Sequence, residues 1–270
     1  MPHANMRPRE IGSLSEFVDW AGEIQDNWTI DGGLETPWFR GVGDRSFHLV
    51  PGLYRENLAN ALDSERKCRN EYRRQGIHLV SGIAPDSVWD WYFLMQHYRL
   101  PTRLLDWTDG ALIALRFALD AAANNTRPTV WALNPFRLNE VSVGQLKILR
   151  SEDLLGSDDP RIRSYLPDVP RAIEFVPQLP VAIAPSYIDR RLFAQRSCFT
   201  VHGTLSEGLD EMENMNVLQE AGHLRKASLS LGGGGRDQMK LLLSTCGISE
   251  TTLFPDFEGL ARQVAREYLF

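Results

Sequence analysis

Apolar runs of strand length alternate along this chain with helical patterns of very different lengths, and this alternation most constrains the fold. Thr129–Leu133 and Cys198–His202 have the apolar and alternating character of strands, whereas Asp63–Val80 has the charged periodicity of a long surface helix. Several gaps between strands are as short as hairpin connections. A regular doubly wound sheet places similar helices between all its strands. The pattern therefore predicts a mixed α+β fold.

Other elements follow from capping residues and from breaks in periodicity. We expect helices over 13–26, from Asp86, over Gly110–Ala123, near Val141–Leu149 and, as two further helices, at the end of the chain, with strands at Pro37–Gly41, Pro180–Ala184 and Lys226–Leu231. Gly232–Gly235 lacks the spacing of a phosphate-binding loop, which favours a plain turn.

The chain is expected to form an N-terminal helical extension over residues 1–29 and a single domain over 30–270. Residues 151–180 are rich in Asp, Pro and Arg and lack clear periodicity. We interpret them as an irregular, lid-like segment within that domain, because strand-like runs resume after them.

Composition excludes several classes of protein. Hydrophobic residues make up 43% and the net charge is -6, so the chain is typical of globular proteins and has no general basic field for nucleic acid. Three scattered cysteines, Cys68, Cys198 and Cys246, favour reduced thiols and show no zinc-site spacing, so no metal is expected. No run approaches the roughly 20 apolar residues of a membrane span, and no secretory signal begins the chain. We expect a soluble, cytoplasmic protein that contacts no membrane.

The first candidate constellation is Trp38–Gly43. Arg40 stands near the end of an apolar strand and is followed by Gly41 and Gly43. A guanidinium there needs either a carboxylate partner or an anionic ligand, because burying an unpaired charge is costly. A structural salt bridge and a ligand site both remain open on spacing alone.

The second constellation, Gln96–Thr108, packs donors, acceptors and aromatic side chains between two predicted helices. Asp106 either caps the following helix or takes part in chemistry, and Thr108 and Asp109 are other candidates for the cap. His97 is either a structural histidine or, with Asp106, an acid–base pair acting on a phosphodiester. Arg99 and Arg103 either bind phosphate or pair with acids.

The third constellation is Ala194–Gly203, whose second half alternates like a strand. Gln195 stands at its entrance, where it either binds a ligand hydroxyl or only forms a turn. Cys198 lies within the strand, which indicates a packed and unreactive thiol.

Taken in this order, the three constellations resemble the FRG domain family, which is named for the tripeptide Phe39-Arg40-Gly41. The resemblance covers roughly residues 30–205, with Cys246–Ile248 and Phe254–Leu260 as later matches. It implies a fold family more than a particular reaction.

A second resemblance is to ADP-ribosyltransferases that carry an aromatic-Arg-Gly strand, a Ser-Thr-Ser strand and a Glu-containing turn. Phe39–Gly41 is similar to the first element, Asp106–Thr108 followed by Phe117-Ala118 to the second, and Gln195 before Phe199 to the third. This resemblance implies a mostly antiparallel sheet and NAD as the substrate.

The transferase resemblance also implies roles for individual residues. Arg40 would contact phosphate or ribose, Thr108 would support the site, and Trp107 would stack on a ring. Gln195 is neutral where the transferases have glutamate, so Asp106 is the candidate for the missing carboxylate. The candidate catalytic residues are Arg40, His97, Asp106 and Gln195, and the candidate NAD-binding residues are Phe39, Gly41, Arg103, Trp107 and Thr108.

The expected function is ADP-ribose transfer from NAD, or NAD hydrolysis, in a bacterial toxin or phage-defence effector. The first alternative is a module that binds a nucleotide or a nucleic acid end without turnover. The second is the His97/Asp106 hydrolase. The macromolecular acceptor and the oligomeric state are left open by the sequence.

Overall fold

The computed structural model describes residues 8–30, 33–56, 58–80, 85–166, 177–187 and 189–269. The strands are β1 (Arg9–Ile11), β2 (Thr29–Ile30), β3 (Gly33–Leu34), β4 (Trp38–Val42), β5 (Leu104–Thr108), β6 (Thr129–Leu133), β7 (Leu149–Arg150), β8 (Val181–Ala184), β9 (Ser197–Val201) and β10 (Leu224–Leu229). The helices are α1 (Leu14–Asn27), α2 (Gly52–Arg55), α3 (Ala61–Gly76), α4 (Val88–His97), α5 (Ala111–Ala121), α6 (Pro135–Val143), α7 (Ser151–Gly156), α8 (Pro160–Arg163), α9 (Arg190–Ala194), α10 (Asn216–Glu220), α11 (Gly235–Thr245), α12 (Glu250–Leu253) and α13 (Phe257–Tyr268).

Eight of these strands form one sheet, in the order β1-β10-β6-β4-β5-β9-β8-β7, while β2 and β3 form a separate antiparallel pair. The two outermost pairings, β1 with β10 and β7 with β8, are parallel. The inner pairings are all antiparallel. The predicted α+β class with a mixed, mostly antiparallel sheet and surrounding helices is therefore confirmed.

Helices α1 and α5 cover one face of the sheet, where the strands present apolar side chains. Phe17 and Trp20 of α1 are fully buried in a cluster with Phe39 of β4. The Trp20 and Phe39 rings meet edge to face, with centroids 6.2 Å apart. Helix α4 packs near β8 and β9, where Phe93 stacks on Phe199 at 5.1 Å. Large aromatic side chains thus supply much of the buried apolar area that holds the helices on the sheet.

Strand β4 lies unusually close to helix α5 at Gly41. A Cβ at this position would stand 2.0 Å from the carbonyl oxygen of Ala114 and 2.5 Å from the nitrogen of Ala118. Only glycine allows two backbones to approach this closely. The glycine of the Phe-Arg-Gly tripeptide therefore sets the height of α5 above the sheet.

The predicted helix near Val141–Leu149 was wrong in position, because the helix runs from Pro135 to Val143. Asn134 caps its start by accepting hydrogen bonds from the nitrogens of Phe136 and Arg137. Gly144 ends it in the left-handed conformation, with φ of 71°. Both signals are the usual ones for helix ends and outweigh the apolar spacing of 141–149.

The segment 151–180, predicted to be irregular and lid-like, contains two short helices, α7 and α8. Residues 167–176 of that segment lie outside the described residues. The end of the chain carries α11, α12 and α13 where two helices were predicted. Gly232–Gly235 forms the predicted turn, which leads into α11. Among the described residues, no helix combines the length and apolar character that crossing a bilayer requires.

Candidate functional site

A pocket of about 260 Å³ lies where β4, β5 and β9 face the ends of helices α4, α9 and α12. Of the nine candidate residues predicted from the sequence, all but Arg103 line it. Its lining consists of Phe39, Arg40, Gly41, Gln96, His97, Arg99, Asp106, Trp107, Thr108, Phe117, Arg191, Leu192, Gln195, Ser197, Phe199 and Phe254. The three motif segments, remote in sequence, thus meet in one hollow.

The pocket forms where strands β4 and β5 separate. These two strands share one residue pair, Phe39 with Thr108, whereas Arg40 is paired with Trp131 on the other side of β4. The Nη1 of Arg40 donates to the backbone oxygen of Asp106 at 2.6 Å. The guanidinium therefore donates the hydrogen bond that a longer β4–β5 ladder would have supplied to this carbonyl, and its side chain bridges the gap between the two strands.

Arg40 lies between core and solvent, with 16% of its side chain exposed. Burial lowers the pKa of Arg40, and Asp106, whose Oδ2 lies 3.7 Å from Nη1, partly offsets that effect. The Nε of Arg40 is buried and has no hydrogen-bond partner among the described residues. Arg40 thus has a carboxylate neighbour, as a structural salt bridge requires, and still reaches the pocket.

Asp106 is the most open carboxylate of the pocket, with 55% of its side chain exposed. Its Oδ2 accepts a hydrogen bond from Gln96 Nε2 at 2.8 Å, and Gln96 Oε1 accepts one from Thr102 at 2.6 Å. A chain of hydrogen bonds therefore orients the Asp106 carboxylate from one side while Arg40 approaches from the other.

Asp106 does not cap helix α5, which corrects the structural role predicted for it. Asp106 lies within β5, and the capping position belongs to Gly110. The hydroxyl of Thr108 accepts a hydrogen bond from the nitrogen of Gly110 at 3.0 Å. Thr108, one of the alternatives for the cap, thus shapes the turn between β5 and α5.

His97 ends helix α4 and is paired with Asp189 rather than with Asp106. Its Nδ1 lies 3.4 Å from Asp189 Oδ1, and only 7% of its side chain is exposed. Burial lowers the pKa of His97, against the opposing effect of Asp189. Among the described residues, no hydrogen bond or ion pair joins His97 to Asp106, as an acid–base pair would require.

Arg103 is placed behind the pocket, in a buried network. Its Nε donates to Glu65 Oε2 at 3.0 Å, and the Tyr92 hydroxyl donates to the other oxygen of Glu65. Burial alone would lower the pKa of Arg103, but Glu65 reverses this, and the pKa is raised overall. The carboxylate of Glu65 on α3 thus pairs with the guanidinium that was predicted to bind a nucleotide.

Gln195 is both a turn residue and a pocket residue. It caps the end of α9, and its Nε2 donates to the backbone oxygen of Leu253 at 3.1 Å. Arg196 follows with φ of 48°, a left-handed conformation that turns the chain into β9. Cys198, in that strand, is buried, and burial raises the pKa of its thiol, as expected of a packed and unreactive cysteine.

Eight lining residues were not among the nine candidates: Gln96, Arg99, Phe117, Arg191, Leu192, Ser197, Phe199 and Phe254. The guanidinium carbons of Arg191 and Arg262 lie 5.4 Å and 4.5 Å from the centroid of the Phe254 ring. The rings of Phe117 and Phe254 form an edge-to-face pair with centroids 6.2 Å apart. Gln96 and Arg99 belong to the second constellation, Gln96–Thr108, and Phe254 begins the later match, Phe254–Leu260. Their membership in these segments was the signal that could have identified them as site residues. Phe117 entered the sequence analysis only through the resemblance to the transferases, and Arg191 had no signal that sequence reasoning used.

The described residues contain no cluster of His, Cys, Asp or Glu suited to a metal ion.

Comparison with known proteins gives one family: residues 35–127 match the model of the FRG domain. No curated protein and no solved structure matches the chain. The match spans Arg40, His97, Asp106 and Thr108, whereas Gln195 and Phe254 lie beyond it. The chain therefore contains an FRG domain, as the resemblance of its motifs indicated.

Proposed function

We propose that the pocket binds NAD and breaks the bond between nicotinamide and ribose, so that ADP-ribose passes to water or to an acceptor. The observation that carries this proposal is the convergence of Arg40, Asp106, Thr108 and Gln195 on one hollow. These are the positions at which the motifs resemble those of ADP-ribosyltransferases.

The cations of the pocket suit the pyrophosphate of the dinucleotide. Arg40, Arg99 and Arg191 all line it, and Asp106 is the one acidic residue among the described lining residues. Arg191 is already paired with Glu258 at 2.7 Å and with Asp256. Arg99 is exposed and has no ion-pair partner in the described part of the chain. Arg40 and Arg99 are therefore the guanidiniums we assign to phosphate.

Asp106 is the residue we assign to the reacting ribose. When the bond between C1′ and nitrogen breaks, its electron pair leaves with nicotinamide, and positive charge develops on C1′ and the ring oxygen. A half-exposed carboxylate held by Gln96 is already oriented to stabilise that charge. The incoming oxygen or nitrogen then bonds to C1′ and loses its proton to a base, a role that we also assign to Asp106.

Aromatic residues give the pocket flat apolar walls for the nicotinamide and adenine rings. Phe117 and Phe254 form an edge-to-face pair at the rim. Trp107 is 3% exposed, and its Nε1 donates to Thr200. We therefore assign ring stacking to the phenylalanines rather than to Trp107.

The test measures, by chromatography, how fast the purified protein releases nicotinamide from NAD. Asp106→Asn keeps the size of the side chain and removes its charge, so we expect the rate to fall by about 10²–10³. Arg40→Gln should weaken NAD binding. Asp26→Asn, an exposed substitution on α1, is the matched control and should leave the rate unchanged. A wild-type rate in both pocket variants would exclude this site.

Binding without turnover is the second candidate, and the state of Asp106 favours it. Its carboxylate already accepts from Gln96 and lies 3.7 Å from Arg40, so part of its charge is neutralised before any ligand arrives. In that case NAD or another nucleotide raises the thermal midpoint but stays intact. A ligand at 100 times its Kd adds about 2.7 kcal/mol of stability, which a thermal-shift experiment detects.

An NAD-consuming enzyme would suit a bacterial toxin or phage-defence effector, because depletion of NAD halts metabolism. Expression of the wild-type chain in bacteria should then lower cellular NAD and slow growth, whereas the Asp106→Asn variant should do neither. Equal growth and NAD content in the two cultures would contradict the cellular role.

A further inference from the structure

A second, broader groove opens directly from the candidate pocket. Its volume is about 1670 Å³, and it shares His97, Arg99, Arg191 and Phe254 with the pocket. The groove runs between α9 and the start of α13. It exceeds the roughly 300–1000 Å³ of sites for single small ligands, so it has room for an elongated occupant.

Exposed aromatic rings line this groove. Four of its five exposed large hydrophobic residues are aromatic, and these four rings are between 48% and 89% exposed. They are Tyr98, Tyr187, Phe193 and Phe257, and the fifth residue is Leu260. Tyr187 and Phe193 stand edge to face, with centroids 5.8 Å apart. Flat rings left open to solvent in a cleft are suited to stacking with bases.

The charges of the groove favour an anionic occupant. Its three acids have partners: Asp189 accepts from the backbone nitrogen of Arg191 at 2.7 Å and lies 3.4 Å from His97, while Asp256 and Glu258 pair with the side chain of Arg191. Arg99 and Arg190 are exposed, and neither has an ion-pair partner within the described ranges. These two arginines are therefore the cations of the groove that remain available to an anionic partner, although the chain as a whole has a net charge of -6.

We propose that this groove binds single-stranded nucleic acid, with bases on the aromatic rings and phosphates on Arg99 and Arg190. Asp256 and Glu258, two of the three groove acids, are already paired with Arg191, which disfavours a basic peptide as the occupant. Free strands offer both unpaired bases and a regular negative charge, which duplexes do not combine.

The role of the groove in catalysis rests on the proposed function. Because the groove leads into the pocket, a strand lying in it brings its end toward Asp106. A hydroxyl oxygen or base nitrogen of that strand would bond to C1′ of NAD as nicotinamide leaves with the electron pair. The proton of the attacking group would pass to Asp106. The acceptor of ADP-ribose is then the bound nucleic acid.

The binding experiment is fluorescence anisotropy with labelled single-stranded DNA and RNA of about 20 nucleotides, with a duplex for comparison and without NAD. We expect both single strands to bind more tightly than the duplex. The double variant Phe193→Ala/Phe257→Ala should weaken binding at least tenfold, because stacking on each ring is lost. Arg190→Gln should reduce the slope of log K against log salt by about 0.7, the value for one phosphate contact with a single strand.

Matched controls are Phe47→Ala and Arg45→Gln, both exposed and outside the lining of pocket and groove. They should bind like the wild type. Absence of single-strand binding, or an equal loss in the controls, overturns the inference. So does a wild-type dimer in gel filtration that the Phe193/Phe257 variant converts to a monomer, because the occupant would then be a second copy. Nicotinamide release, measured both with and without nucleic acid, tests the proposed function separately. Release with no strand binding sinks this inference alone, whereas strand binding with no release under either condition sinks the proposed function and leaves the groove as a binding site only.

Discussion

At the scale of single residues, Arg40 shows how a strand motif becomes a site. An interior strand position normally receives an apolar side chain, and here the strand ladder stops so that a guanidinium fits beside Asp106. The arginine replaces a backbone donor and keeps part of its surface in the pocket. Its position is therefore fixed by backbone hydrogen bonding before any ligand is present.

Gln195 is expected to resist conversion to the glutamate of the transferases. Its Nε2 donates to the oxygen of Leu253 at 3.1 Å, and a carboxylate there would have no proton to donate. We expect Gln195→Glu to lower the free energy of unfolding at neutral pH by about 1–3 kcal/mol, the usual cost of an unsatisfied partly buried group. Urea unfolding measures this. A Gln195→Glu protein as stable as the wild type would show that this amide contact is not needed.

His202 should make stability depend on pH. It is fully buried, and burial, aided by Arg103 and Arg40, lowers its pKa to about 3 from the ordinary 6.5. Between those values the unfolded chain binds a proton that the folded chain does not. Stability is therefore lost as pH falls through this window, by up to about 1.4 kcal/mol per pH unit.

The measurement compares urea unfolding of wild type and His202→Gln between pH 7 and pH 4. The variant lacks the titrating group, so its stability should fall less steeply as the solution is acidified. Other groups titrate in both proteins and cancel in the difference. Parallel curves would mean that His202 is not held neutral in the folded protein.

At the scale of elements, the contact between β4 and α5 depends on the absence of side chains. We expect Gly41→Ala to destabilise the protein by about 3 kcal/mol, because the new methyl group would overlap backbone atoms of Ala114 and Ala118 that cannot move independently. Gly22→Ala on α1 is the control. A Cβ there meets nothing within 4 Å, and alanine favours the helix by roughly 1 kcal/mol over glycine. Thermal unfolding of the two variants should therefore shift in opposite directions.

The elements that the sequence predicted best are those with a local cause. Strand β6 is a continuous apolar run and occupies the predicted residues, 129–133. The helix near residue 141 was misplaced because apolar spacing was given more weight than the Asn134-Pro135 start and the Gly144 stop. Local signals of helix ends carry more information than weak periodicity over a short helix.

The site was predictable to the extent that its residues lie in motifs on adjacent strands. Arg40, Asp106 and Ser197 meet because β4, β5 and β9 are neighbours in the sheet. Arg191 and Phe254 come from α9 and the end of α12, and their approach depends on packing between segments that are remote in sequence. Nothing local in the sequence specifies such a contact. Arg103 pairs with Glu65 of α3, a segment remote in sequence, so the sequence did not show which of its two predicted roles, phosphate binding or pairing with an acid, the fold supplies.

At the scale of the whole molecule, the sheet is interleaved rather than built in sequence order. The segment that matches the FRG domain, residues 35–127, contributes only β4 and β5 to the eight-stranded sheet. These strands share a single residue pair. Each gains its full ladder from a strand outside the segment, β6 for β4 and β9 for β5. The segment therefore contains the motifs without the partners that hold them together.

This interleaving predicts that residues 35–127 do not fold alone. Within that fragment β4 and β5 have no long ladder, Phe39 loses Trp20, and Asp106 loses the neighbours supplied by α9 and β9. Two strands joined at one pair, with their apolar faces uncovered, fall short of the three or more strands that a stable isolated sheet needs. Circular dichroism and amide NMR dispersion of the purified fragment should show an unfolded chain, while the full chain shows a cooperative transition. A dispersed spectrum from the fragment would mean that the FRG segment is an independent folding unit and that the strands outside it only extend a sheet already formed.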